Sequence, residues 1–242
     1  MKLQKLCFAL AVLITMIALG PASAIAATCT NASFTGIWGY QVGASVGQFT
    51  VDGNGHLTAG SQTVSQNGVI QSQTFTGTYS VSANCTGSIT VNFTGGGSQN
   101  ANFVLFQTNQ GAQIVDTSNN LVAGGAAFAQ GVACGLTGKK TFAANLFGKI
   151  VGTGPIQYVA QLILDGHGKV SGAGTFVVNG VVLNAPIITG TYTTNSNCTG
   201  TMKITPSGFS TLNFNFVAAS VGKRVGLIET DANTVVVGNM QQ

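Results

Sequence analysis

The chain has 242 residues, and only 6% are charged, against roughly 25% in an average globular protein. Nine basic and five acidic residues give a net charge of +4, too few and too scattered for the dense basic face that nucleic-acid binding needs. Five acids and two histidines also leave acid–base catalysis poorly supplied.

The first 27 residues read as a secretory signal peptide. Lys2 and Lys5 precede an apolar run from Leu6 to Leu19, Gly20 and Pro21 break it, and small residues from Ala22 to Ala27 offer cleavage sites. The run is shorter than the roughly 20 residues of a membrane-spanning helix. Thr28 before Cys29 argues against a lipid anchor, and no later stretch is long and apolar enough for a helical span. A secreted or periplasmic protein is expected. In the remainder, apolar residues interleave with Thr, Ser, Asn and Gln, and 34 glycines are about twice the usual ~7% share. That composition points to an all-β protein with an uncharged polar exterior. Residues 28 to 133 contain no Lys or Arg. The later positive charges are Lys139, Lys140, Lys149, Lys169, Lys203, Lys223 and Arg224.

The chain is a tandem duplication, 28–133 and 134–242. "GTYSVSANCTG" at 77 to 87 returns as "GTYTTNSNCTG" at 190 to 200, and "VGQFTVDGNG" at 46 to 55 returns as "VAQLILDGHG" at 159 to 168. Asp52 thus matches Asp165, Tyr79 matches Tyr192, and Cys85 matches Cys198. The second copy is about eight residues longer between its first cysteine and its DGxG turn. Two copies are too few for a solenoid.

Within each copy the apolar period is two. Ile89, Val91 and Phe93 alternate with polar residues, as do Leu212, Phe214 and Phe216, while Phe75, Gly77, Tyr79 and Val81 share one strand face. "DGNG", "QNG" at 66 to 68, "DGHG" and "VNG" at 178 to 180 mark tight hairpins, since Asn-Gly and Asp-Gly supply positive φ. About eight short antiparallel strands per copy are expected. An up-and-down β-barrel would remove their edges, with a β-sandwich as the alternative.

Four cysteines remain after the leader, two per copy at matched places. The duplication favours Cys29–Cys85 and Cys134–Cys198 as disulfides. No metal site or cofactor is expected, because there is no CxxC pair and the DGxG loops lack later calcium ligands. "GASVG" around Ser45 matches G-x-S-x-G, but a strand follows where the nucleophile elbow needs a helix. Ser45 and His56 are read as strand or turn residues.

"TGIWGY" carries the single tryptophan. Its Gly36-Ile37-Trp38 resembles the G-x-W of calycins, the lipocalin and avidin group, which implies a barrel with Trp38 across its closed end. The second copy departs there, with Gly138-Lys139-Lys140. The order C…DGxG…GTY…CTG resembles a family of secreted bacterial β-repeat proteins, a likeness that implies little about activity. Two functions follow as expectations. The first is an exported, non-catalytic protein binding a small apolar ligand inside the first barrel, through Trp38, Tyr40, Phe49, Phe75 and Tyr79. The second is a structural or surface-interaction protein, meeting an envelope or matrix component, whose barrels are filled by their own side chains.

Overall fold

A computed structural model describes residues 28–106, 110–118 and 122–242. The expected signal peptide lies outside the described residues. A short 3-10 turn, Asn31–Ser33, leads into β1 (Thr35–Val42), β2 (Ser45–Asp52), β3 (His56–Gln66), β4 (Val69–Val81), β5 (Thr86–Phe93), β6 (Ser98–Phe106), β7 (Gly111–Asp116) and β8 (Gly124–Ala129). The second copy forms β9 (Lys140–Ile150), β10 (Gly154–Leu164), β11 (Lys169–Val178), β12 (Val181–Thr194), β13 (Thr199–Pro206), β14 (Leu212–Ala219), β15 (Arg224–Glu229) and β16 (Thr234–Gln241). Each strand pairs antiparallel with its sequence neighbours. β8 returns to β1 and β16 returns to β9, so both ladders close into eight-stranded barrels. The sandwich alternative does not form. No described helix is long and apolar enough to cross a membrane.

The hairpins form where the dipeptides predict. Asn67-Gly68 and Asn179-Gly180 both have positive φ at each residue. In the DGxG turns the aspartates act as local caps. Asp52 Oδ1 accepts from the N–H groups of Asn54 (2.7 Å) and His56 (3.0 Å), and Asp165 Oδ1 accepts from those of His167 (2.7 Å) and Lys169 (2.9 Å). The extra residues of the second copy lengthen its first hairpin, where β9 and β10 have 11 residues each against 8 in β1 and β2.

Register corrects one detail of the repeat alignment. Trp38 lies opposite Phe49, and Phe142 lies opposite Leu162, the repeat partner of Phe49. Phe142, and not the Gly138-Lys139-Lys140 stretch, therefore stands where Trp38 stands in the first barrel. The added residues of the second copy therefore lie beyond Phe142, between it and Leu162.

Both disulfides form as the duplication implies, Cys29–Cys85 and Cys134–Cys198, each with a Cα–Cα separation of 4.9 Å. They fit an oxidising, extracytoplasmic compartment. Each ties the leading segment to a hairpin at one barrel end, and that segment inserts a plug. Phe34 is buried in the first barrel and Leu136 in the second. A tyrosine hydroxyl holds each plug's backbone. Tyr79 donates to the Phe34 carbonyl (2.7 Å) and Tyr192 to that of Leu136 (3.3 Å).

The two barrels dock side to side. Outward residues Val46 on β2, Val217 on β14, Ile228 on β15 and Val237 on β16 form a separate buried apolar cluster. Hydrogen bonds surround it: Ser65 Oγ donates to the Thr234 carbonyl (2.7 Å), Asn215 Nδ2 to Thr63 Oγ1 (3.0 Å), and Gln130 Nε2 to the Ala218 carbonyl (2.9 Å). The Asn233 N–H donates to the Gly68 carbonyl at 3.0 Å. Only glycine fits there, since φ is +83° and a Cβ would lie 2.5 Å from Asn233 Cα.

Two outcomes follow. Replacing Cys29 and Cys85 by serine should cost about 4 kcal/mol in the chain-entropy picture, measured by denaturant unfolding. A loss under about 1 kcal/mol would mean that the plug holds without its covalent tie. Ile228→Ala should cost roughly 2–5 kcal/mol although Ile228 faces outward, because it is fully buried between the barrels. A neutral result would show that the barrels do not dock in solution.

Candidate functional site

The five aromatic residues expected to meet a ligand all lie inside the first barrel. Trp38, Tyr40, Phe49, Phe75 and Tyr79 are each 8% exposed or less. They touch one another through a hub that sequence reasoning missed, Phe34. Its ring lies 4.7 Å from Trp38, 5.8 Å from Phe49, 5.2 Å from Tyr79 and 4.9 Å from Phe103. Tyr40 bridges Phe49 (5.7 Å) and Phe75 (6.4 Å). These separations are those of aromatic contact. The ring of Phe75 lies over Gly60, where any Cβ would collide with it.

The polar atoms within this core are paired internally. Trp38 Nε1–H donates to the Thr35 carbonyl at 3.0 Å, and Tyr40 O–H donates to Gln62 Oε1 at 2.6 Å. Gln62 Nε2 then donates to Gln73 Oε1 at 2.6 Å. Burial pushes the Tyr40 hydroxyl far above its ordinary pKa.

The second barrel has its own buried polar pair. Glu229 closes the inward series Val225, Leu227, Glu229 and is only 2% exposed. Its Oε2 accepts a hydrogen bond from Tyr158 O–H at 3.3 Å. Tyr158 packs on Phe176 (4.5 Å), which stacks on Phe209 (4.9 Å). Asp231 stands nearby, held by the backbone N–H of Asn213 (2.8 Å) and its Nδ2 (2.6 Å). Burial first, and then the Asp231 charge, push the Glu229 carboxyl up to about 7, against the bond from Tyr158. Burial, and then the charge of Glu229, raise Tyr158 in turn. The residue matching Glu229 in the first barrel is Asp116, half-buried and bonded to the Ser118 N–H at 2.7 Å.

The G-x-S-x-G match brings no partners together. Ser45 Oγ donates to the Val42 carbonyl at 2.7 Å, closing the β1–β2 hairpin. Ser45 pairs with Val64, near the end of β3 remote from His56. Among the described residues no three His, Cys, Asp or Glu side chains gather as a metal site.

Among the described residues, open spaces lie on outer surfaces. A cleft of about 230 Å³ lies between the outer faces of β1, β7 and β8 and those of β14, β15 and β16. Arg224 enters it with its guanidinium carbon 4.2 Å above the ring of Phe128, donating from Nη1 to Gln241 Oε1 at 3.4 Å. A groove of about 400 Å³ runs elsewhere between the barrels, lined by Ser61, Thr63, Ser72, Thr74, Thr201 and Asn215 among others. A third space of about 530 Å³ lies along β4 to β7 of the first barrel, where Ser80, Ser88, Asn102 and Val104 line it. No family model, curated protein or solved structure matches the chain.

The buried carboxyl sets a pH dependence. Between about pH 4.5 and 7 the folded chain keeps a proton on Glu229 that the unfolded chain has lost. Its contribution is therefore complete below that window and falls as pH rises through it, by roughly 3 kcal/mol overall. Asp52 and Asp165, lowered chiefly by bonds from the His56 and Lys169 N–H groups respectively, act oppositely at lower pH. Glu229→Gln leaves those two in place, so unfolding free energies of both proteins at pH 4.5 and 7.5 isolate Glu229. The variant should lack most of the loss; identical pH slopes would show that Glu229 is ionised in the fold.

Proposed function

We propose that the protein is an exported, non-catalytic binding protein of the cell envelope or its surroundings, which works through the outer faces of two self-filled barrels. One observation carries this reading: the rings of the first barrel occupy its interior in mutual contact around Phe34, while open clefts are found between the barrels and on the outer wall. An eight-stranded barrel either holds one small ligand or is filled by its own side chains. An apolar guest in the first barrel would have to displace Phe34 or Phe75 and break the bond of Tyr79 to the plug. The outer grooves present hydroxyls and amides with little charge, suited to an uncharged or weakly anionic polar partner.

Trp38 is the single tryptophan and reports on the interior directly. Its emission should be that of a buried indole and should not change on titration with a fatty acid. Native mass spectrometry of the secreted chain should give the bare polypeptide mass. A co-purifying apolar molecule that also shifts Trp38 emission would place the ligand inside the barrel instead.

A further inference from the structure

We propose that the cleft between the barrels binds a small hydroxylated carboxylate, of the class of acidic monosaccharides. This rests on the reading that binding takes place outside the barrel interiors, and it names the ligand chemistry of one outer site. Arg224 is the cation of the cleft, and no acidic side chain lines it. A guanidinium offers five N–H donors in a planar fork that matches a carboxylate. Here one donor is used, weakly, by Gln241 at 3.4 Å. The guanidinium carbon meanwhile lies over the ring of Phe128, 4.2 Å from its centroid, a cation–π contact that holds the group in the cleft. A preset fork with spare donors is the arrangement that takes a carboxylate bidentately.

The other walls fit hydroxyls. Gln41, Gln113 and Asn239 line the same space with neutral amides, each able to donate and accept. Gln41 Nε2 is committed to the Gly43 carbonyl (2.9 Å), and Asn239 Oδ1 to Gln241 Nε2 (3.1 Å), which leaves the Gln41 oxygen and the Asn239 amino group to meet a ligand. The cleft, of about 230 Å³, has room for one sugar ring. The site needs both barrels. Gln41, Gln113 and Phe128 come from the first, and Arg224, Asn239 and Gln241 from the second.

Isothermal titration calorimetry on the secreted, disulfide-bonded chain tests this with glucuronate, glucose and acetate. Glucuronate should bind at least tenfold more tightly than either control, since glucose lacks the carboxylate and acetate the hydroxyls. Arg224→Gln should weaken glucuronate at least tenfold, and Arg224→Lys, which keeps the charge without the fork, should not restore it. Gln113→Ala, at an exposed wall position, should weaken it about threefold or more and decides the matter if the arginine variants do not fold. Galacturonate and its trimer, compared with each other, separate two sources of the same chemistry. Binding equal to the monomer supports a glycan end, and failure to bind supports a free sugar acid. No binding of glucuronate, equal binding of glucose or acetate, indifference to Arg224→Gln, or, where the arginine variants do not fold, indifference to Gln113→Ala overturns the proposal. With Trp38 still silent to fatty acid, those results would leave the outer-surface reading standing.

Discussion

Closure of the β-ladder is the constraint from which the rest follows. Eight antiparallel strands joined in a ring leave no edge, so the backbone groups of the strands find partners without a second sheet. A closed ring also fixes inside and outside. Because side chains alternate, every second residue must enter a space wide enough for about one layer of side chains. Phe75 fits only because Gly60 faces it with no Cβ, and the register shift between Leu57 and Gly60 brings that glycine opposite. The plug is the same constraint applied at a barrel end. An open mouth would expose Trp38 and Tyr79, and the leading segment, anchored by its disulfide, covers them with Phe34.

The outer wall has no such obligation, and here the two copies diverge. Where the second barrel meets the first, its strands are apolar on both faces. "FVAA", "GLI" and "VVVG" are continuous apolar runs, and Val217, Ile228 and Val237 are their outward members. Such runs signal a strand buried on both sides. The buried cluster and the surrounding hydrogen bonds make the pair one structural unit. A lone second barrel would show that apolar stripe to water.

The barrels, their hairpins and both disulfides were legible in the sequence, because period two, Asn-Gly turns and matched cysteines are local signals. The docked face was written in the same strands but masked. The alternation of Leu212, Phe214 and Phe216 satisfies a one-sided strand, and only Val217 beside them breaks the pattern. Phe34 was hidden for another reason. It precedes β1, outside any alternation, and its counterpart Leu136 stands closer to its cysteine than Phe34 does to Cys29. The equivalence of Trp38 and Phe142 was hidden because the sequence alone does not say where, between the first cysteine and the DGxG turn, the extra residues lie. Glu229 was visible as an acid at a hairpin, yet its inward direction follows only by counting back through Leu227 and Val225. As for the cleft, no sequence signal joins Gln41 to Arg224, since their meeting depends on how two closed bodies pack.

That packing explains how a duplicated chain can hold a site that neither copy contains. β7 and β8 correspond to β15 and β16, and the two hairpins face each other across the cleft. Within each barrel the same register pair recurs at that place, Gly111 with Phe128 in the first and Arg224 with Gln241 in the second. One copy thus presents the ring of Phe128, with Phe106 packed edge-on against it over Gly111, and the other presents a cation with an amide beside it. Two arginines facing each other would repel, and two phenylalanines would close the gap with apolar surface. Divergence at a single register pair lets the guanidinium of one barrel lie on the ring of the other. The absence of Lys and Arg from residues 28 to 133 then has a structural counterpart, because the first barrel supplies the aromatic and amide wall against which the cation of the second is set.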